Sequence, residues 1–402
     1  MSDTERNAGL LATPGVVSLL LVIALGIGSF SILLPLSPGW AIRGGASEAA
    51  AGSVTAVLMA FTILTQLYVN RALRRFGWGT VLATGLLALG APALLQATSF
   101  DLATILLSSA IRGVGFGILT VSGATAIALL APPERRGAAV GLYGLAVASP
   151  QLLLVSSAPI LELHLGILAV TMIASLPVFG LFWTPALGRL LDDHTKANDK
   201  PAGADATPGR SVFFLIAPVL LSLFIVTSSG GAIMTFAGQI TANAASATIA
   251  LLCLTGLATP TRWVFGTLSD RYPVKYLIIA LAAACCLGMA ALSASVLTPD
   301  PVWALAWLYL GSSLLGVSYG GMQTATLVCA YRLAGNNHIP RVAVLWNVTF
   351  DLGTGVGAMF TGIVAETTGF GVAFGSLSAA AAGSVILILT RLQAVNNNAM
   401  SR

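Results

Sequence analysis

Apolar residues in this chain come in long unbroken runs, not in the alternating or every-third-position patterns of a soluble fold. The runs fall at 16–36, 51–69, 79–97, 102–125, 137–159 and 163–183, and then at 211–236, 245–265, 274–294, 302–329, 342–364 and 368–390. Each has the length that a helix needs to cross the hydrocarbon core, about 20 residues. Barrel strands would alternate over segments of about 10 residues. The pattern therefore predicts an all-α membrane protein with twelve transmembrane helices.

Composition excludes the soluble alternative. The 402 residues are 56% hydrophobic and only 8% charged, where soluble domains carry about a quarter charged residues. Too little polar sequence remains to cover the apolar runs of a water-soluble enzyme. Residues ahead of the first run include Asp3, Glu5 and Arg6, and the run exceeds the apolar region of a signal peptide. It is expected to be a retained first helix. Cys253, Cys285, Cys286 and Cys329 lie in or near apolar runs without metal-ligand spacing. They read as packing residues, and neither a disulfide framework nor a metal site is expected.

Charge sets the expected orientation. With the amino terminus in the cytoplasm and the helices alternating, 17 of the 19 basic residues lie inside. Arg43 alone falls in an outer loop, and Arg112 falls within the membrane. Glu48, Asp101, Glu162, Asp300 and Glu366 are outside. This is the positive-inside distribution, and it implies a multi-pass protein of the inner (cytoplasmic) membrane with both termini cytoplasmic. The formal charge of +5 is mostly this bias, so no nucleic-acid partner is expected.

The longest polar interval, 185–210, contains Asp192, Asp193, His194, Lys196, Asp199 and Lys200 beside PAGADATPG. It reads as a flexible cytoplasmic linker. It divides the chain into a six-helix bundle over 1–184 and another over 211–391, with a tail over 392–402. Internal repeats of this kind are frequent in secondary transporters. Two echoes support a repeat here. NRALRRFG at 70–77 and GTLSDRYP at 266–273 place Arg75 and Arg271 196 residues apart, and GVGFG at 113–117 returns as GVSYG at 316–320. No P-loop, GxGxxG with an acidic partner, or HxxxH cluster is present. No cofactor is expected, and any transport energy must come from a gradient.

These features resemble the major facilitator superfamily over essentially the whole chain. GTLSDRYPVK at 266–275 is similar to the family's signature loop, with Gly266, Leu268, Asp270, Arg271 and Lys275 in place and Pro273 where glycine is usual. The resemblance implies a cytoplasmic gate built on this loop and on its first-half copy. In that copy Asn70 and Arg74 replace the glycine and the acid, while Arg75 and Gly77 remain. Glu134 is then a candidate for the missing acid. Arg262, eight residues before Asp270, is assigned to the inner end of the same gate, where it would snorkel or pair with an acid; Gln66 holds the matching first-half place. Arg112-Gly113-Val114-Gly115 resembles the fourth-helix motif of proton-coupled members. GLAVASPQ at 144–151 partly matches the fifth-helix signature of exporters, and NVTFDLGTGVGAMFTG at 347–362 resembles the eleventh helix of drug- and sugar-efflux branches.

Two residues bring charge near the membrane midplane. Arg112 stands about eleven residues, roughly 16 Å, into its helix, and an arginine there costs at least about 2.5 kcal/mol unless it faces a cavity or a partner. Asp351 is ten residues beyond Arg341. Burial disfavours the charged form of a carboxyl unless it is paired, which suits a proton carrier or cation ligand. The bland readings are an ion pair or carbonyl contact for Arg112 and a local hydrogen bond at a glycine-rich bend for Asp351. Arg112 and Asp351 belong to opposite halves and could meet across a cavity. Tyr319, Gln323 and Asn347 are further cavity candidates, and Trp346 could equally face lipid. Pro150 is expected to bend helix five. Gly113, Gly115, Gly117, Gly353 and Gly357 are expected to permit close packing.

The expected function is secondary active transport: export of a small organic or amphipathic solute by proton antiport and alternating access, by a monomer surrounded by lipid. A proton-coupled importer of a sugar or organic acid is the alternative within transport. A non-transporting receptor or scaffold is the alternative outside it. A channel is disfavoured because no ring of repeated filter residues is evident.

Overall fold

A computed structural model describes residues 9–132, 135–197, 210–241, 243–334 and 339–400. The chain is an all-α membrane protein of twelve spanning helices in two six-helix bundles. The spanning elements are α1 (Val16–Leu33), α2 (Glu48–Gln66), α3 (Trp78–Gly90), α4 (Leu102–Leu130), α5 (136–165), α6 (167–182), α7 (Arg210–Phe236), α8 (Ala244–Arg271), α9 (Val274–Leu297), α10 (Pro301–Ala334), α11 (Ile339–Thr368) and α12 (Phe370–Met400).

Ten helices among the described residues are long and apolar enough to span a membrane, and a shorter apolar helix covers Phe370–Ile386. The remaining crossing is hidden in the 45-residue stretch Ala138–Phe182. There α5 runs through a π-helical turn at Gln151–Val155 and ends at Gly166, where φ is 79° and α6 begins. A side chain is strained at that φ, so glycine permits the break. The π turn follows Pro150, which has no N–H to give to the ladder. The bend expected at Pro150 is thus a change of helical pitch.

Residues Met1–Gly44 and Val57–Ala204 form one compact unit, and Gly45–Ala56 with Asp205–Arg402 form the other. The opening of α2 belongs to the second unit for a local reason. The Ala49 N–H donates to Glu366 at 3.1 Å, the Thr55 and Thr235 hydroxyls are 3.1 Å apart, and Gly52 lies against the backbone of Ala358. Within the first unit, a β-carbon on Gly115 would come within 2.6 Å of the Gly85 carbonyl, and one on Gly117 within 2.6 Å of the Thr62 carbonyl. Within the second, Gly353 and Gly357 meet the backbone of Phe224 and Ser228. Small residues let helix backbones approach where lipid supplies no hydrophobic drive.

One expectation about a polar segment is corrected. The interval expected as a linker is helical over Thr184–Ala197. Leu187 and Leu191 of that helix are buried, Gly188 meets Gly79, and Asp192 accepts from the Trp78 N–H at 3.1 Å while Thr195 accepts from Trp78 Nε1 at 3.0 Å. The few buried leucines stand among charged and polar neighbours, so the composition of this helix matches that of a linker. At the far end, α12 continues to Met400 through the expected tail, because no glycine or proline interrupts 384–400.

Candidate functional site

In the first unit the charged group is Arg112. It is 1% exposed, and its Nη2 donates to the Ser29 carbonyl of α1 at 2.8 Å. Its Nε has no hydrogen-bond partner among the described residues. The rings of Phe30 and Phe116, one residue beyond Ser29 and four beyond Arg112, stack at 4.0 Å. A second buried polar chain runs beside it. Ser37 Oγ donates to Gln96 Oε1 at 2.6 Å, Gln96 Nε2 donates to Ser108 at 3.0 Å, and Ser108 donates to the Pro92 carbonyl at 2.7 Å. Its members are single uncharged residues on three separate segments, which leaves no local signal in the sequence.

In the second unit the centre is Tyr319 of α10, which is 6% exposed. It lies within electrostatic reach of Arg262 on α8 and Asp351 on α11, and beside Thr354 one turn beyond Asp351. Asp351 is itself 6% exposed. Gln323 is buried, and its Nε2 donates to the Tyr319 carbonyl at 3.0 Å. Phe350 packs at 5.9 Å from Tyr319 and stacks on Trp346 at 5.7 Å. Trp346 Nε1 donates to Thr326 at 3.0 Å, so this tryptophan is tied to α10. Asn347 is exposed and donates back to the Ala343 carbonyl at 3.0 Å.

Arg262 thus stands beside Tyr319, and its Nε is buried without a hydrogen-bond partner among the described residues. It lies nine residues before the end of α8, roughly 14 Å from that end at 1.5 Å per residue. The loop residues are elsewhere. Arg332 donates to Asp270 at 3.3 Å, with both side chains more than half exposed. Arg271 is exposed, Lys275 lies 4.9 Å from the Tyr276 ring, and Gly266 has ordinary contact with Thr324. In the first-half copy, Arg75 is exposed over the Phe76 ring at 5.3 Å. Glu134 lies outside the described residues. Arg112 belongs to the first unit and Asp351 to the second.

The arrangement groups a buried carboxyl, a guanidinium, a phenol and an amide beside the stacked rings of Phe350 and Trp346. The Major Facilitator Superfamily model matches residues 19–358, and the chain belongs to that family. It is a transporter of the secondary type and not an enzyme. No curated protein matches. Among solved structures, the nucleoside transporter NupG is 12% identical, with a TM-score of 0.73 over 94% of this chain and 98% of that one. A bacterial homolog of the human lysosomal transporter Spinster, in an inward-facing and unoccupied conformation, is 15% identical, with a TM-score of 0.65 over 97% and 96%. The xylose transporter XylE from E. coli is 14% identical, with a TM-score of 0.68 over 93% and 97%. At these identities the likeness is one of fold.

Proposed function

We propose that this transporter exports a small amphipathic organic solute in exchange for protons, by alternating access across the inner membrane with both termini cytoplasmic. The observation that carries this reading is the buried Asp351 carboxyl grouped with Tyr319 and Arg262. When the Asp351 carboxylate takes up a proton, the local charge beside Tyr319 rises by one. Protonation therefore changes the field in which a solute sits and favours one access state over the other. Few charges and a Phe350–Trp346 wall suit a solute that is largely apolar with a small polar end. Arg112, anchored to the α1 backbone, contributes a fixed positive charge on the first-half side. The excess of basic residues in alternate loops supports the orientation.

The test is transport in proteoliposomes of defined orientation under an imposed pH gradient. Export by antiport requires solute movement from the cytoplasmic face, opposite to the protons. Solute movement together with protons toward the cytoplasmic face would instead establish import. Asp351→Asn should retain solute exchange at equilibrium but lose uphill movement driven by protons.

A further inference from the structure

We propose that the loop after α2 binds the phosphate headgroup of an anionic phospholipid. The loop contains an eight-residue helix, Val69–Phe76, between two spanning helices, which fixes it at the membrane–water boundary. Val69 and Leu73 are buried against the protein, while Arg71, Arg74 and Arg75 are exposed. Leu67, Tyr68 and Phe76 are also exposed, at 58%, 60% and 56%. The side-chain ion pairs among the described residues are Arg43–Glu162 and Arg332–Asp270, so none of the three arginines has a carboxylate partner among those residues. Asp192, the acid brought to the end of this loop, is engaged by the Trp78 N–H at 3.1 Å.

The internal repeat sharpens the contrast. In the second half Asp270 pairs with Arg332 at 3.3 Å. At the repeat offset of 196, the position of Asp270 corresponds to Arg74. Where the second half has an acid paired with an arginine, the first half has an arginine at the acid's position, beside two further exposed arginines. Guanidinium groups present forked donors that match phosphate oxygens. The exposed Leu67, Tyr68 and Phe76 select the source of that phosphate. A soluble ion offers them nothing, whereas the glycerol and upper acyl carbons of a lipid cover them.

Native mass spectrometry of the full chain, equilibrated with equal amounts of phosphatidylglycerol and phosphatidylcholine, tests this. The wild type should retain phosphatidylglycerol preferentially. The R71Q/R74Q/R75Q variant should lose that preference by a factor on the order of a hundred, and R74Q alone by about fivefold. The R71K/R74K/R75K variant should keep most of it, since the charge remains. Equal retention of the two lipids by the wild type, an unchanged preference in R74Q and in the triple glutamine variant, or full displacement of the lipid by millimolar inorganic phosphate would each overturn the proposal.

Discussion

Arg112 Nη2 and the Ser29 carbonyl oxygen lie 2.8 Å apart, so the charged end of an α4 side chain is held by the backbone of α1. A hydrogen bond from a charged group typically contributes about 1.5–3 kcal/mol. Arg112→Ala is expected to lower the stability of the detergent-solubilised protein by about 2 kcal/mol, measured as a drop in melting temperature, and Arg112→Lys by less. An Arg112→Ala protein that melts like the wild type would show that the contact does not anchor α1.

Asp351 separates coupling from binding. Asp351→Asn keeps the side-chain volume and an acceptor but cannot exchange a proton. Counterflow of solute should persist with little dependence on pH, while uphill transport should fall at least about tenfold, a loss equivalent to roughly 1.4 kcal/mol. Uphill transport at the wild-type rate would remove Asp351 from the mechanism.

At Gly357 the Ser228 backbone occupies the space that a β-carbon would need. Overpacking of this kind costs about 1–3 kcal/mol. Gly357→Ala should therefore reduce stability and the yield of folded protein. Gly375, whose nearest neighbour would be 3.6 Å from an added β-carbon, is the matched control, and Gly375→Ala should be near neutral. Equal melting temperatures for the two variants would contradict the packing.

Asp192 caps α3 from a distant part of the chain. Losing a cap costs about 1 kcal/mol. Asp192→Ala should loosen the helix Thr184–Ala197 from α3 and speed limited proteolysis within it several-fold. An unchanged cleavage rate would mean that Leu187, Leu191 and the Gly79–Gly188 contact hold the helix without the cap.

The exposed Asp270–Arg332 pair should contribute little to stability. Pairs of this kind are worth about 0.2–1 kcal/mol, so a double-mutant cycle of Asp270→Ala and Arg332→Ala should give a coupling below about 1 kcal/mol. If the loop gates transport, the same variants should change the turnover rate at nearly constant stability. Wild-type turnover in both would separate the loop from gating.

The crossings were legible because hydrocarbon demands length and apolarity from every helix alike, and that demand leaves a one-dimensional trace. Gly166 was not, because the stretch around it stays apolar while the backbone turns. The helix Thr184–Ala197 was missed because its buried Leu187 and Leu191 are few among charged neighbours. Arg112 and Asp351 stood out as charges inside apolar runs. Arg262 did not, because Asp270 and Arg271 mark the end of the same helix and draw Arg262 toward the loop in a linear reading. Its neighbour Tyr319 is brought to it by packing between α8 and α10, which spacing along the chain does not encode. Arg332 as the partner of Asp270 also depends on that packing.

The glycine contacts have a genetic consequence. Every missense change at a glycine codon adds at least one carbon, whatever residue it specifies. At Gly115, Gly117, Gly353 and Gly357 that first carbon already collides with a neighbouring helix. These codons therefore have no conservative alleles. Damaging variants of this transporter should accumulate at the places where its side chains are missing, more densely than at the exposed charges of its loops.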